Sequence, residues 1–201
     1  MKIILASQSP RRNDLLAQMG VEFEVVPSNY DEKLDDSRSP EEVAMELALG
    51  KAMDVAQNYP DCIVIGSDTI VTVDGRQLEK PIDDEDAHEM LQLLADKSAD
   101  VSTGLAVVCL ASNVKLAGAD TARVFFKPYN GPAVKAYIAT GNTKDMAGAF
   151  GIQNGAAPLI SYMSGNYDTI VGLPTILLQQ YLESLGVTSR AVSLTSPVPQ
   201  K

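Results

Sequence analysis

The segment Ala6-Ser7-Gln8-Ser9-Pro10-Arg11-Arg12 brings two guanidinium groups to the predicted start of a helix. Ser9 is a favourable N-cap and Pro10 suits the first helical position, so Arg11 and Arg12 fall in the first turn. There the helix macrodipole disfavours each cation by ~0.3–1 kcal/mol. A bound anion reverses that sign, because free backbone N–H groups and two guanidinium forks together suit phosphate. The alternative is that both arginines extend into water. Strand, serine-rich turn, Pro-capped helix and arginine pair together favour a phosphate site.

A second cation, Lys51, interrupts the apolar stripe of a later helix between Leu47 and Val55. It either snorkels its ammonium to water or binds an anion, and the residues alone leave both open. Its neighbour Gly50 costs a helix interior ~1 kcal/mol relative to Ala, which suggests that another chain segment passes close by. Asp68 follows the apolar run Ile63–Gly66, at the expected end of a core strand where α/β proteins place metal ligands and general bases. A local turn hydrogen bond is the other reading. Lys80 returns toward the same strand end after the Asp74-Gly75 hairpin, and Glu32 follows the second strand as a further carboxylate or a solvated loop acid. The single histidine, His88, sits on an acidic helix, which leaves nucleophilic triads and His-rich zinc sites without parts. No Walker loop, dinucleotide fingerprint or kinase signature is present. Arginine, lysine and carboxylates instead suit metal-assisted displacement with water as nucleophile.

The elements that would position these groups alternate along the chain. Strands are expected at Ile3–Ala6, Phe23–Val26, Cys62–Gly66 and Ile70–Val73, then as a long pair near Val101–Leu110 and Lys115–Phe126, and at Leu159–Met163. Helices are expected from Pro10 to Gly20, from Ser39 to about Tyr59, from Asp83 past Leu94, over Pro132–Thr140 and over Pro174–Leu185. Ser39-Pro40-Glu41-Glu42 combines an N-cap, a proline at N1 and a glutamate at N3 in a capping box. The order implies an α/β protein with a mixed sheet, its early strands joined by crossover helices and its long strands antiparallel.

With 201 residues and 45% hydrophobic content, the chain can bury a sizeable core. A formal net charge of −10 argues against a nucleic-acid polymer as partner but is compatible with one small polyphosphate. Cys62 and Cys109 lie in apolar runs without CxxC spacing and read as buried free thiols. No secretory leader or run of ~18 apolar residues appears, so the expectation is a cytoplasmic protein with no membrane contact. The tail Thr188–Lys201, rich in Ser, Thr and Pro, is expected to be disordered.

The ordered set of these segments resembles the Maf family of nucleoside triphosphate pyrophosphatases over about residues 2–186. It comprises Ser7-Gln8-Ser9-Pro10-Arg11-Arg12 with Leu15-Leu16, Glu32, Lys51-Ala52, Ser67-Asp68-Thr69, Lys80-Pro81, Ser102-Thr103-Gly104, Ala147–Gln153 and Val171-Gly172-Leu173-Pro174. The resemblance implies a single domain over residues 1–187: an elongated mixed β-sheet with flanking helices and two lobes around a nucleotide cleft, as in inosine triphosphate pyrophosphatases, often as a homodimer. It implies cleavage between the α- and β-phosphates of a nucleoside triphosphate, with Mg²⁺ or Mn²⁺. Arg12, Arg11, Lys51 and Lys80 would hold phosphates, with Ser7 and Ser9 shaping the phosphate loop. Glu32 and Asp68 would hold metal, and Asp68 would also activate water.

Thr69 and Gln153 match the branch of the family that hydrolyses dTTP and UTP. The sister branch preferring 7-methyl-GTP is the alternative enzyme reading, and a non-catalytic nucleotide-binding regulator of cell division is the other. The sequence departs from the family pattern at Ile152-Gln153-Asn154-Gly155, at Asp100 and at Thr169, which bears on base selectivity more than on the reaction.

Overall fold

The computed structural model describes residues 1–33, 35, 37–190, 192 and 195–201. Its centre is a seven-stranded mixed sheet. β1 (Ile3–Leu5) lies parallel between β2 (Glu24–Val25) and β3 (Ile63–Val73). Beyond β3, the strands β5 (Ser98–Cys109), β6 (Val114–Phe126) and β7 (Ile160–Ser164) continue antiparallel, while β4 (Arg76–Leu78) folds back on the end of β3. The expected α/β mixed sheet is the fold observed.

One strand differs from its expectation in a way that matters. Gly66-Ser67-Asp68-Thr69 does not end a strand; β3 runs unbroken through it. Local composition favours a turn here, but pairing with β5 from Val64 to Thr72 holds the segment extended. On its other edge β3 pairs with β1 only over Ile63–Ile65 and with β4 only over Val71–Val73. Residues 66–70 therefore face a gap between two neighbours, and Asp68 sits in the middle of it.

Helix α2 (Pro40–Ala56) starts with the expected capping box at Ser39 and Glu42. Ala44, Ala48, Ala52 and Ala56 recur every fourth residue as a fully buried ridge. This ridge rests on the sheet backbone. A Cβ at Gly66 would lie 2.2 Å from the Ala48 carbonyl oxygen, and one at Gly104 would lie 2.0 Å from that of Ala44. Small residues on both sides thus bring helix and sheet together closely enough for a side chain on α2 to meet one on β3.

The opposite sheet face is covered by α1 (Pro10–Gln18), α3 (Asp84–Leu94), α4 (Gly131–Ile138) and α6 (Thr175–Ser184), which supply Leu15, Leu16, Leu91, Leu94, Val134, Leu178 and Leu182 to the main apolar cluster. A five-residue helix, α5 (Tyr167–Val171), has no counterpart in the sequence reading, being too short to show a period. Residues 191, 193 and 194 of the expected disordered tail lie outside the described residues. Farther on, Val198 is buried, and Met163 donates to the Pro199 carbonyl at 2.9 Å and accepts from the Lys201 N–H at 2.9 Å. Cys62 and Cys109 are free thiols. Among the described residues, no helix is long and apolar enough to cross a membrane.

Candidate active site

The pleat of β3 sorts its side chains. Gly66, Asp68 and Ile70 face α2, while Ser67, Thr69 and Val71 face the other layer. On the α2 side, Lys51 and Asp68 are only 8% and 7% exposed. The Lys51 ammonium donates to Asp68 Oδ1 and, at 2.8 Å, to Glu32 Oε1. Lys51 therefore does not snorkel; it joins two carboxylates from a core strand and a surface loop. Burial pushes the Glu32 carboxyl upward, but the Lys51 hydrogen bond and the charges of Lys51, Lys80 and Arg12 outweigh it, leaving its pKa below the ordinary 4.5.

The other face of β3 holds Arg12. Ser9 caps α1 as expected, and no acidic residue occupies the first turn. Arg12 Nε donates to the Gly172 carbonyl at 2.8 Å, Nη2 to Thr69 Oγ1 at 3.1 Å and Nη1 to Ser7 Oγ at 3.4 Å. The donor directions are fixed by elimination. Thr103 Oγ1 gives its proton to the Thr169 carbonyl at 2.8 Å, so at 3.0 Å Thr69 must donate to Thr103 while accepting from Arg12. The Thr69 hydroxyl thus spends its proton on Thr103 and offers Arg12 an oxygen that aims the guanidinium. Desolvation lowers the Arg12 pKa against the charge of Asp68, but a guanidinium stays protonated.

Gly172 completes this cradle. Its φ of 113° lies in the left-handed range that favours glycine, and a Cβ there would sit 3.2 Å from Thr69 Oγ1 and 3.3 Å from Arg12 Nε. Ser67 Oγ lies 2.8 Å from the Gly104 carbonyl and 2.9 Å from that of Gly172. Asp168 ties down the turn after α5: its carboxylate accepts from the Thr175 N–H at 2.6 Å and from the Thr175 hydroxyl at 2.5 Å.

Several predicted groups keep hydrogen-bonding capacity in reserve. Ser7 Oγ accepts from the Ser9 N–H at 3.2 Å and from Arg12, and Ser9 Oγ accepts from the Arg12 N–H at 3.5 Å. Both hydroxyl protons remain for an anion. Arg11 reaches the Asp145 carbonyl at 3.3 Å through one of its N–H groups. Lys80 is exposed and enters no ion pair among the described residues. Its segment is held by the Gly148 N–H on the Glu79 carbonyl at 3.0 Å.

All ten residues predicted for the site (Ser7, Ser9, Arg11, Arg12, Glu32, Lys51, Asp68, Thr69, Lys80 and Gln153) line one cavity of about 650 Å³. Its far end is bounded by Met146, Phe150, Ile152, Gln153 and Asn154. Gln153 is exposed and hydrogen-bonds the Tyr167 phenol, whose pKa burial nevertheless raises. Asn154 Oδ1 is buried without a partner among the described residues. The other departures lie off the cavity: Asp100 pairs with Arg123 at 2.5 and 2.9 Å, and Thr169 is a buried residue of α5 itself.

No group of three or more His, Cys, Asp and Glu residues suited to a metal occurs among the described residues. Two carboxylates in a polar cavity would suit a Mg²⁺-type ion, which takes one or two carboxylates and completes its shell with water and substrate phosphate. Glu32 and Asp68 fit that role.

The sequence reading quoted Ser67, Thr103 and Gly172 only within segments of the family resemblance and gave them no role, and it did not single out Asp168 or Thr175. Their roles become visible only once β3, β5 and α5 are in contact.

A sequence profile of Maf-like proteins matches residues 2–185. The chain belongs to the Maf family. Among similar curated proteins, the dTTP/UTP pyrophosphatase of Dictyoglomus thermophilum is 41% identical over 186 residues, covering 92% of this chain and 96% of that protein. A Bacillus cereus protein of the same name is 41% identical, with 92% and 91% covered. That of Symbiobacterium thermophilum is 43% identical over 185 residues, with 92% and 94% covered.

Proposed function

We propose that this Maf family protein hydrolyses dTTP and UTP to the nucleoside monophosphate and pyrophosphate. The observation that carries the reading is the meeting of Glu32, Lys51 and Asp68 in the same cavity as the braced Arg12 and the uncommitted Lys80. Relatives at about 40% identity over nearly the whole chain bear the name dTTP/UTP pyrophosphatase, which supports the substrate class.

Arg12 has spent three N–H groups on the protein, so its fork is oriented before a nucleotide arrives and the rest is available to phosphate oxygens. Lys80, Arg11 and the Ser7 and Ser9 hydroxyls add donors along the triphosphate. Asp68 takes a proton from water as the water oxygen bonds to phosphorus. The bridging P–O bond breaks, and pyrophosphate leaves with the electron pair. Lys51, which donates to Asp68, holds the carboxylate in place for that transfer. A divalent cation, Mg²⁺ or Mn²⁺, bound by Glu32 and Asp68 supplies charge neutralisation for the phosphate oxygens. Gln153 and Asn154 border the end of the cavity left for the base. A cytoplasmic setting and a homodimeric state belong to the same proposal, and cell fractionation and sedimentation velocity test them.

A panel of dTTP, UTP, CTP and 7-methyl-GTP, assayed for pyrophosphate with and without Mg²⁺ or Mn²⁺, tests the function. Preferential metal-dependent release from dTTP and UTP is expected. Preference for 7-methyl-GTP would move the protein to the sister branch. Calorimetric binding without turnover over hours would make it a nucleotide-binding regulator.

A further inference from the structure

Glu32 lies in the connection between β2 and α2, whose described residues form no helix or strand, and long connections need specific anchors to hold one residue in place. The described anchors of residues 28–32 lie on neighbouring positions of α2. Asp54 Oδ2 accepts from the Ser28 hydroxyl at 2.9 Å and from the Asn29 N–H at 2.8 Å, and Ser28 Oγ in turn accepts from the Tyr30 N–H at 3.0 Å. Two residues later Glu32 meets Lys51. Between these contacts the Tyr30 ring lies against Gly50 so closely that a Cβ there would fall 2.3–2.6 Å from three ring atoms. The segment suspected from Gly50 in mid-helix is therefore this loop. We infer that Tyr30 is a positioning residue: its ring, seated on Gly50, sets the reach of residues 28–32 so that Glu32 arrives beside Asp68 at Lys51.

This inference rests on the proposed role of Glu32 as a metal-binding carboxylate, while the seat itself is a property of the loop. Gly50 is the feature that separates it from bland packing. In a helix interior Ala is intrinsically better than Gly, so Gly50→Ala on an unoccupied face would stabilise the protein. Over the Tyr30 ring the same methyl must displace the ring instead. The phenol oxygen makes no hydrogen bond among the described residues, so the ring and not the hydroxyl should matter.

The test measures two quantities in the full-length protein. One is Mn²⁺ affinity, by water-proton relaxation with the non-hydrolysable α,β-methylene analogue of dTTP bound. The other is amide hydrogen exchange over residues 28–33. Tyr30→Ala and Gly50→Ala should each weaken Mn²⁺ binding about tenfold, a usual cost for losing support behind a ligand, and speed exchange in the loop. Tyr30→Phe should match the wild type. In the Tyr30→Ala background, Gly50→Ala should cause no further loss and should raise the melting temperature, because the two residues act as one contact. Wild-type affinity and loop protection in Gly50→Ala, or additive losses in the double variant, would overturn the seat. Glu32→Gln separates the two levels. If it leaves Mn²⁺ binding unchanged, the role of Glu32 fails whatever the loop does. If it weakens binding while Tyr30→Ala and Gly50→Ala do not, the seat fails and the role of Glu32 stands.

Discussion

The two ends of the cavity are built differently. At the phosphate end two cations are held by groups from several elements: Arg12 by Gly172, Thr69 and Ser7, and Lys51 by Asp68 and Glu32. At the other end, residues 146–154 form a loop held mostly by packing, with Ala149, Phe150 and Ile152 buried in the main apolar cluster, and by hydrogen bonds from Gly148 to Glu79, Gly151 to the Tyr137 hydroxyl and Gln153 to Tyr167. That loop also holds Ala149 at a φ of 59°, a left-handed conformation that costs an alanine ~1–2 kcal/mol. The contrast teaches where each property resides. In the proposed function, reaction chemistry belongs to the crossing of β3 with α1 and α2, and base preference to the loop at the other end.

Breaking the phosphate end should have the largest effects. Asp68→Asn removes the proton acceptor while keeping shape, and kcat for dTTP should fall about 10³-fold, roughly 4 kcal/mol of transition-state stabilisation. Steady-state pyrophosphate release measures it, and a loss under tenfold would remove Asp68 from the base role. Gly172→Ala acts at one remove, placing a methyl 3.2 Å from Thr69 Oγ1 and 3.3 Å from Arg12 Nε at a backbone angle that disfavours it. A drop in kcat/KM of about 10–100-fold is expected, with a lower melting temperature. An unchanged kcat/KM would mean that Arg12 is aimed without this carbonyl.

At the base end, Gln153→Ala should leave kcat at saturating dTTP within about threefold of wild type while changing the preference among bases by about 3–10-fold. A collapse of kcat instead would erase the division between the two ends. The smallest effect concerns pH. Because Glu32 titrates below its ordinary 4.5, its ion pair is fully present above that value and is lost as the pH falls through the lowered folded value. The side chain is 46% exposed, so solvent screening limits the contribution to below about 1 kcal/mol. Thermal melts from pH 7 to pH 3 should show wild type losing slightly more stability than Glu32→Gln, and parallel curves would deny the linkage.

What could be read from the sequence was whatever depends on near neighbours. The Ser9 cap, the arginine pair in an acid-free first turn and the Ser39–Glu42 box are contacts within one helical turn, and all three stand. Lys51 and Gly50 were anomalies against a helical background, and each marks a real close approach. The continuity of β3 through Gly66-Ser67-Asp68-Thr69 was hidden, because turn-forming residues there are overruled by pairing with β5. The Arg12 cradle was hidden for a related reason: Gly172 lies 160 residues away, and its carbonyl is placed by α5, a helix too short to announce itself.

Hydrolysis of dTTP in ¹⁸O-enriched water, with every product weighed by mass spectrometry, tests the central claim most directly. The arrangement around Asp68 and Arg12 predicts dTMP and pyrophosphate in equal amounts, with one heavy oxygen per turnover carried by dTMP, none in pyrophosphate and no dTDP. Labelled orthophosphate accompanied by dTDP would show that water attacks a different linkage, and this account of the cavity would be wrong.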